Sequence, residues 1–459
     1  MTALVSVMNK HAVVIAADSA ITVTTPYGHK VINSANKVFA LSKYHPVGIM
    51  FCGNANFMST PIEVIVKLYR KQLKDRCFAT ISEYLSDFLG FIKNNHYFCS
   101  AEMQNANMEN EIENFYTLIL KIAVNTANEK KSLFLNEFIL QLNSIVVNSC
   151  ENCTSFQNFP EKNFVQSIKG HCAKIIAKHE DVFGDNAPLK RLFIKAFAKF
   201  VAHGNSNFAN ETQIVVVGYG DKEIFPSLRS VCLYWGFYEY FRYNSYISAG
   251  ITEDNSASIC RFGQTDIINT FINGINDNLK KALYDIFGNF TSQLKNLMIN
   301  NVDTQNSKDI INSAIDEGKL VATLGATLDN IIRETSIAPL MSSLGILDKE
   351  DMAELVESLI SITHLNRRIT MSEEGVGGPI DVAIISKGDG FVWKKRKHYF
   401  KPELNQIFFD NYLGVKGMVN ILNLAEVQEQ KQIDEITKCI VDSLINEVEK
   451  SLSKTKIER

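Results

Sequence analysis

Thr2 directly follows the initiator methionine, and a threonine freed at a chain start carries two reactive groups at once. Its hydroxyl is a nucleophile, and its own α-amine, with a pKa of about 8, is a general base suited to neutral pH. That pairing points to hydrolysis as the first hypothesis. It requires a chain end that is held in place rather than frayed. The flanking residues offer a means: Ala3-Leu4-Val5-Ser6-Val7-Met8 and His11-Ala12-Val13-Val14-Ile15-Ala16-Ala17-Asp18-Ser19 read as two buried strands joined by a tight turn at Asn9-Lys10.

Further segments have the same strand-and-turn character. Asn33-Ser34-Ala35-Asn36-Lys37-Val38-Phe39 leads into Pro46-Val47-Gly48-Ile49-Met50-Phe51-Cys52-Gly53-Asn54-Ala55. Gln213 to Gly220 and Ser230 to Tyr234 read as a middle hairpin, Ser248-Ala249-Gly250 as a glycine turn, and Val376 to Ala383 as a late strand. Together with Thr2 and Ala16-Ala17-Asp18-Ser19, these segments resemble the proteasome β-subunit family within the N-terminal-nucleophile hydrolases. The resemblance implies an αββα architecture, with Thr2 as nucleophile, Asp18 as the carboxylate behind it and Lys37 as the cation beside it.

Residue chemistry fits those roles. An ammonium next to a threonine hydroxyl lowers the cost of alkoxide-like charge, and an aspartate fixes that ammonium in a partly desolvated site. Backbone N–H groups at Cys52 and Gly53 are candidate oxyanion donors, since glycine admits close approach of a reacting carbonyl. Ser248 and Glu373 are candidate supports. The family's glycine turn places a serine near the terminal amine, whereas the matching position here is Ala249, with Ser248 one residue early. Its late segment has an aspartate and a serine ahead of paired glycines; here Ser372-Glu373-Glu374-Gly375-Val376 offers Glu373 for the aspartate and no hydroxyl at Val376. The competing local readings are Asp18 as a turn cap and Lys37 as a solvated strand residue.

Composition excludes several classes. The 459 residues are 46% hydrophobic and 21% charged, ordinary for a soluble globular chain. No run approaches the roughly 20 apolar residues that span a bilayer, and the start shows no secretory signal, so the expectation is a cytoplasmic protein without a membrane partner. A net charge of −3 gives no global attraction to nucleic acid. The basic run Lys394-Lys395-Arg396-Lys397-His398 follows a strand and reads as a solvated sheet end. The nine cysteines suggest no disulfide framework. Cys150, Cys153, His171 and Cys172 have zinc-ligand chemistry, yet adjacent positions 171 and 172 point apart on a helix, so unliganded thiols are expected.

Periodicity then places the remaining elements. Residues 1–58 read as the first part of a core, 59–210 as an inserted helical region opened by Pro61 behind a Thr60 N-cap, and 211–264 as the second part of the core. Residues 265–370 read as helical, with Phe271, Ile272, Ile275, Leu279, Leu283, Ile286 and Phe287 in one apolar stripe of the kind normally buried as core; 371–413 hold a last hairpin, and 414–459 a terminal amphipathic helix. The fold class expected is α+β, a four-layer αββα sandwich of two mostly antiparallel sheets flanked by helices, with an inserted helical lobe.

Two functions follow from this reading. One is a threonine-type hydrolase of peptide or small amide substrates that needs no metal or organic cofactor and, by the resemblance, self-associates as a homo-oligomer, in family members a ring. The other is a catalytically weak or inactive assembly subunit on the same scaffold, favoured by Ala249, Val376 and the large insertions. Fold alone does not choose between them.

Overall fold

A computed structural model of the chain describes residues 2–25, 28–130, 133–148, 160–203, 211–370, 376–398 and 400–405. Glu373, the Cys150 and Cys153 pair and the terminal amphipathic helix expected over 414–459 lie outside the described residues. The chain divides into a compact unit of residues 1–396 and a second unit of residues 397–459.

The first unit is an α+β sandwich of two antiparallel five-stranded sheets flanked by helices. Strands β1 (Ala3–Asn9), β2 (Val13–Ala17), β12 (Ala257–Gly263), β13 (Asp381–Ser386) and β14 (Gly390–Lys395) form one sheet in the order β12-β1-β2-β13-β14. Strands β5 (Val38–Ala40), β6 (Val47–Gly53), β9 (Thr212–Gly218), β10 (Ser227–Phe237) and β11 (Tyr240–Gly250) form the other, in the order β11-β10-β9-β6-β5. Hairpins β3 (Ile21–Thr25) with β4 (Gly28–Ile32), and β7 (Asn56–Phe57) with β8 (Thr60–Pro61), stand apart.

Every residue of β1 and β2 is buried, because each face meets another layer. Leu4, Met8, Val13, Ile15 and Ala17 pack toward the second sheet with Met50, Cys52, Val215 and Val217. Val5, Val7, Val14 and Ala16 pack toward the helices α8 (Asp266–Asn273), α12 (Ala338–Leu344) and α13 (Lys349–Ile369). Burial of both faces hides the period-two alternation and leaves a continuous apolar run. The second sheet's outer face, with Phe39, Ile49, Phe51, Ile214 and Val216, is covered by α1 (Ile62–Leu73) and α2 (Ile81–Asn94).

Local details differ from expectation at two caps. Asn9 is still part of β1, and the turn centre is Lys10-His11; the Asn9 Oδ1 accepts from the His11 and Ala12 N–H groups at 2.9 and 3.2 Å. Thr60 does not cap α1. It belongs to β8, its hydroxyl donates to the Phe98 carbonyl at 3.1 Å, and Pro61 occupies the cap position without a side-chain bond.

The helical lobe comprises α3 (Ala101–Lys130), α4 (Phe134–Asn148), α5 (Glu161–Lys178), the single-turn α6 (Glu180–Phe183) and α7 (Ala187–His203). Its core of Phe115, Phe138, Phe164, Phe193 and Phe197 also buries Trp235, Phe237 and Tyr240, so the β10–β11 hairpin runs past β9 into the lobe. His171 faces Glu109 at 2.9 Å while Cys172 is buried in this core, its thiol pushed up to about 12 by burial.

The stripe read as core divides: Ile272 on α8 is buried in the core, and the α9 part is the correction. On α9 (Asp277–Asn300), Leu279 is 55% exposed, Ile286 64% and Leu297 58%. The helix joins α11 (Glu317–Ile332), which follows α10 (Gln305–Ala314), through polar flanks such as Lys280 with Asp329 and Lys295 with Glu317 at 3.4 Å. Periodicity reports an apolar face, not a layer to cover it. No described helix is long and apolar enough to cross a membrane. The basic run is met locally: Lys394 and Lys395 pair with Glu350 and Glu357 of α13, and the Arg396 guanidinium lies 4.9 Å from the Trp393 ring centroid.

Candidate active site

Thr2, Asp18 and Lys37 converge where β1, β2 and β5 begin or end. Thr2 precedes β1, Asp18 follows β2, and Lys37 precedes β5, so a single end of the inter-sheet space collects all three. All are buried, at 6%, 0% and 2% exposure. The Lys37 ammonium donates to Thr2 Oγ1 at 2.8 Å, to Asp18 Oδ1 at 2.7 Å and to the Ala20 carbonyl. Of the competing local readings, the solvated Lys37 does not apply, while Asp18 does bond the local backbone at Ala20 and holds Lys37 besides.

Backbone groups hold the carboxylate from both sides. Asp18 Oδ1 accepts from the Ala3 N–H at 3.0 Å, and Oδ2 accepts from Ala20 at 3.1 Å and from Gly377 at 3.2 Å. Such a charge inside a protein stands only with a full set of donors and an opposite charge. Thr2 itself is anchored by its carbonyl, which accepts the Gln264 N–H at 2.7 Å. Gly263, paired with Ala3, makes this approach possible: at φ +75° it sits where a Cβ would come within 2.0 Å of the Thr2 oxygen.

Cys52 and Gly53 close β6 at the same end. Burial pushes the Cys52 thiol up to about 12, with Lys37 pulling the other way, and the thiol donates to Gln213 Oε1 at 3.1 Å. It is therefore a neutral packing group, not a rival nucleophile. Gly53 is exposed with φ +87°, its Cα packed so close to the Glu211 carbonyl that a Cβ would lie 2.4 Å from it.

Ser248 is not brought to the site. The Lys37 carbonyl accepts from Phe51, and Phe51 lies on one rung with Ile214, Val231 and Ser245. Ser248 pairs with Arg229, three residues farther along β11 and across the width of the sheet. Its neighbours Ile247 and Ala249 pack toward the inter-sheet core, so alternation turns Ser248 the other way. Ala249 thus replaces no partner of Thr2. Val376 is buried beside Gly377.

Several partners lay outside sequence reasoning: the Ala20 carbonyl, the Gly377 and Gln264 N–H groups, and His364 on α13. Only the glycine pair Gly377-Gly378 left a readable trace. Burial holds the His364 imidazole below its ordinary range, with Asp18 raising and Lys37 lowering it in smaller measure. Among the described residues, no group of three or more His, Cys, Asp or Glu side chains could hold a metal.

No protein-family model matches the chain, and no curated protein matches it. Among solved structures it is similar to Anbu (ancestral beta-subunit) from Yersinia bercovieri at 9% identity and a TM-score of 0.28, over 91% of this chain and 98% of that one. It is also similar to an Anbu (Gly-1) mutant from Hyphomicrobium sp. strain MC1 at 10% identity and a TM-score of 0.27, over 91% of this chain and 99% of that one. Similarity at this level fixes neither family nor function. The residues of the site have to carry the reading.

Proposed function

We propose that the chain is a proteasome β-subunit-like N-terminal-threonine hydrolase that cleaves peptide or other amide bonds once Met1 is removed. The observation that carries this is the buried Lys37 ammonium shared between Thr2 Oγ1 and Asp18 Oδ1. Because Thr2 Oγ1 accepts from Lys37, its own proton is left for a base, and the freed Thr2 amine is that base within the same residue.

In the first half-reaction Oγ1 attacks the substrate carbonyl carbon as its proton passes to the amine. Collapse expels the leaving amine, which takes that proton, and an ester to Thr2 remains. Water then attacks the ester, gives its proton to the Thr2 amine, and the acid departs as Oγ1 recovers the proton. Lys37 stabilises the anionic character of Oγ1 in both halves, Asp18 holds Lys37, and the Gly53 N–H is the oxyanion donor, since alternation along β6 turns it to the Lys37 side and turns the Cys52 N–H into the β9 ladder.

Self-association belongs to the same proposal, supported by the apolar face of α9, which is exposed among the described residues. The alternative, an inactive assembly subunit, is favoured by one observation: Thr2 is only 6% exposed. Intact mass combined with hydrolysis of fluorogenic peptide amides separates the two. The hydrolase reading requires a chain beginning at Thr2 and turnover lost in Thr2→Ala; retained Met1 with no turnover selects the assembly subunit.

A further inference from the structure

Beside the Asp18 clamp lies a surface pocket of about 460 Å³, most of its lining residues exposed, that the hydrolysis above does not use. One wall is the last turns of α13, where Ser361, His364 and Arg368 recur at helical spacing; Asn33 and the Gly377-Gly378 pair face them. No carboxylate lines it among the described residues. Its two ionisable groups are both bases, four residues apart on one helix face, an arrangement that is unfavourable when both carry charge.

Neither base has a carboxylate partner among the described residues, although Arg368 is exposed to solvent. The His364 Nε2 is buried and has no hydrogen-bond partner. Arg368 makes no ion pair among the described residues, whereas its neighbour Arg367 holds Asp266 at 2.6 Å and Gln264 at 2.9 Å. The charged groups felt by His364 from other elements are Asp18 and Lys37, already paired with each other. A guanidinium is the side chain best shaped to grip a carboxylate or phosphate. Val31, Leu365 and Val376 add apolar wall, and the volume falls within the roughly 300–1,000 Å³ typical of small-molecule sites.

We propose that this pocket binds a small organic anion, its phosphate or carboxylate group seated between the Arg368 guanidinium and the His364 imidazole. The anion supplies the missing negative charge, and His364 takes up a proton as it binds. The seat touches Gly377, whose N–H donates to Asp18 Oδ2 at 3.2 Å and whose carbonyl accepts from Ser19 at 3.0 Å. Occupancy therefore bears on the clamp that orients Lys37; this coupling rests on the hydrolase reading, while binding does not.

The test uses the full chain carrying Thr2→Ala, so that binding is read without turnover. The His364 imidazole resonance, assigned by its loss in His364→Gln, is followed during titration with citrate, with inorganic phosphate and with tri-glutamate. Saturable movement of that resonance is expected, with affinity rising from about pH 8 to pH 6 and weakened about tenfold or more in Arg368→Gln. Saturation by citrate or phosphate assigns the site to a free small anion. Saturation by tri-glutamate alone assigns it to an acidic group on a peptide substrate. An unmoved resonance with all three probes, or equal affinity in Arg368→Gln, overturns the proposal, and neither result touches the hydrolase reading.

Discussion

At the scale of single residues, the pair Asp18–Lys37 has unequal members. Asp18 keeps three backbone donors when Lys37 is gone, whereas Lys37 without Asp18 loses the carboxylate 2.7 Å from its buried ammonium. Asp18→Ala is therefore expected to cost about 3–5 kcal/mol of stability, and Lys37→Met distinctly less, read from urea midpoints. On activity the order reverses in interest: Lys37→Met, still folded, loses about 10²–10⁴ of its rate. His364 gives a pH signature. Its folded-state pKa is depressed below 6.5, so its contribution to stability is whole above about 6.5 and is lost as pH falls through that value toward the folded one. Thermal denaturation from neutral to mildly acid pH should show this loss, reduced in His364→Phe. Thr2, Asp18 and Lys37 were legible because each sits at the edge of a readable strand. His364 and Gln264 were not, since only tertiary packing brings α13 and the end of β12 beside Thr2.

Elements position these residues through close backbone approach. Gly263→Ala drives a Cβ against the Thr2 carbonyl at a positive φ, so it should lower activity and cost about 1–3 kcal/mol or more. Gly170→Ala, on α5 with nothing within 4 Å of the new Cβ, should instead stabilise by up to about 1 kcal/mol. Chemical denaturation of both variants checks the contrast. Most strands and helices could be read from apolar runs and periodicity. The exceptions have causes: Ser248-Ala249-Gly250, read as a glycine turn, is the end of β11 (Tyr240–Gly250), whose first residues pack into the helical lobe. Helix α5 falls within the helical region read over 59–210, but its own bounds are hidden, its apolar Phe164, Ile168, Cys172 and Ile175 being diluted by polar neighbours. Ser248 was misplaced because adjacency to a glycine turn says nothing about strand register.

For the molecule as a whole, the four-layer sandwich was legible from the order of strand and helix segments, while the covering of its outer helices was not. The stripe of Leu279, Leu283, Ile286, Phe290, Leu294 and Leu297 is open to solvent along α9. Sedimentation of the full chain is expected to show an oligomer, and Leu283→Glu with Phe290→Glu to shift it to monomer with an unchanged melting temperature. A monomer in the parent chain removes self-association from the proposal but leaves the chemistry of Thr2 intact.

The central claim is that a freed Thr2 holds amine and hydroxyl together against the Lys37 ammonium. Intact-mass analysis after treatment with an electrophile directed to N-terminal threonine tests it most directly. One adduct per chain on Thr2, absent in Thr2→Ala and formed at least about tenfold more slowly in folded Lys37→Met, is the result expected. No adduct on a chain that begins at Thr2, or equal labelling rates with and without Lys37, contradicts it.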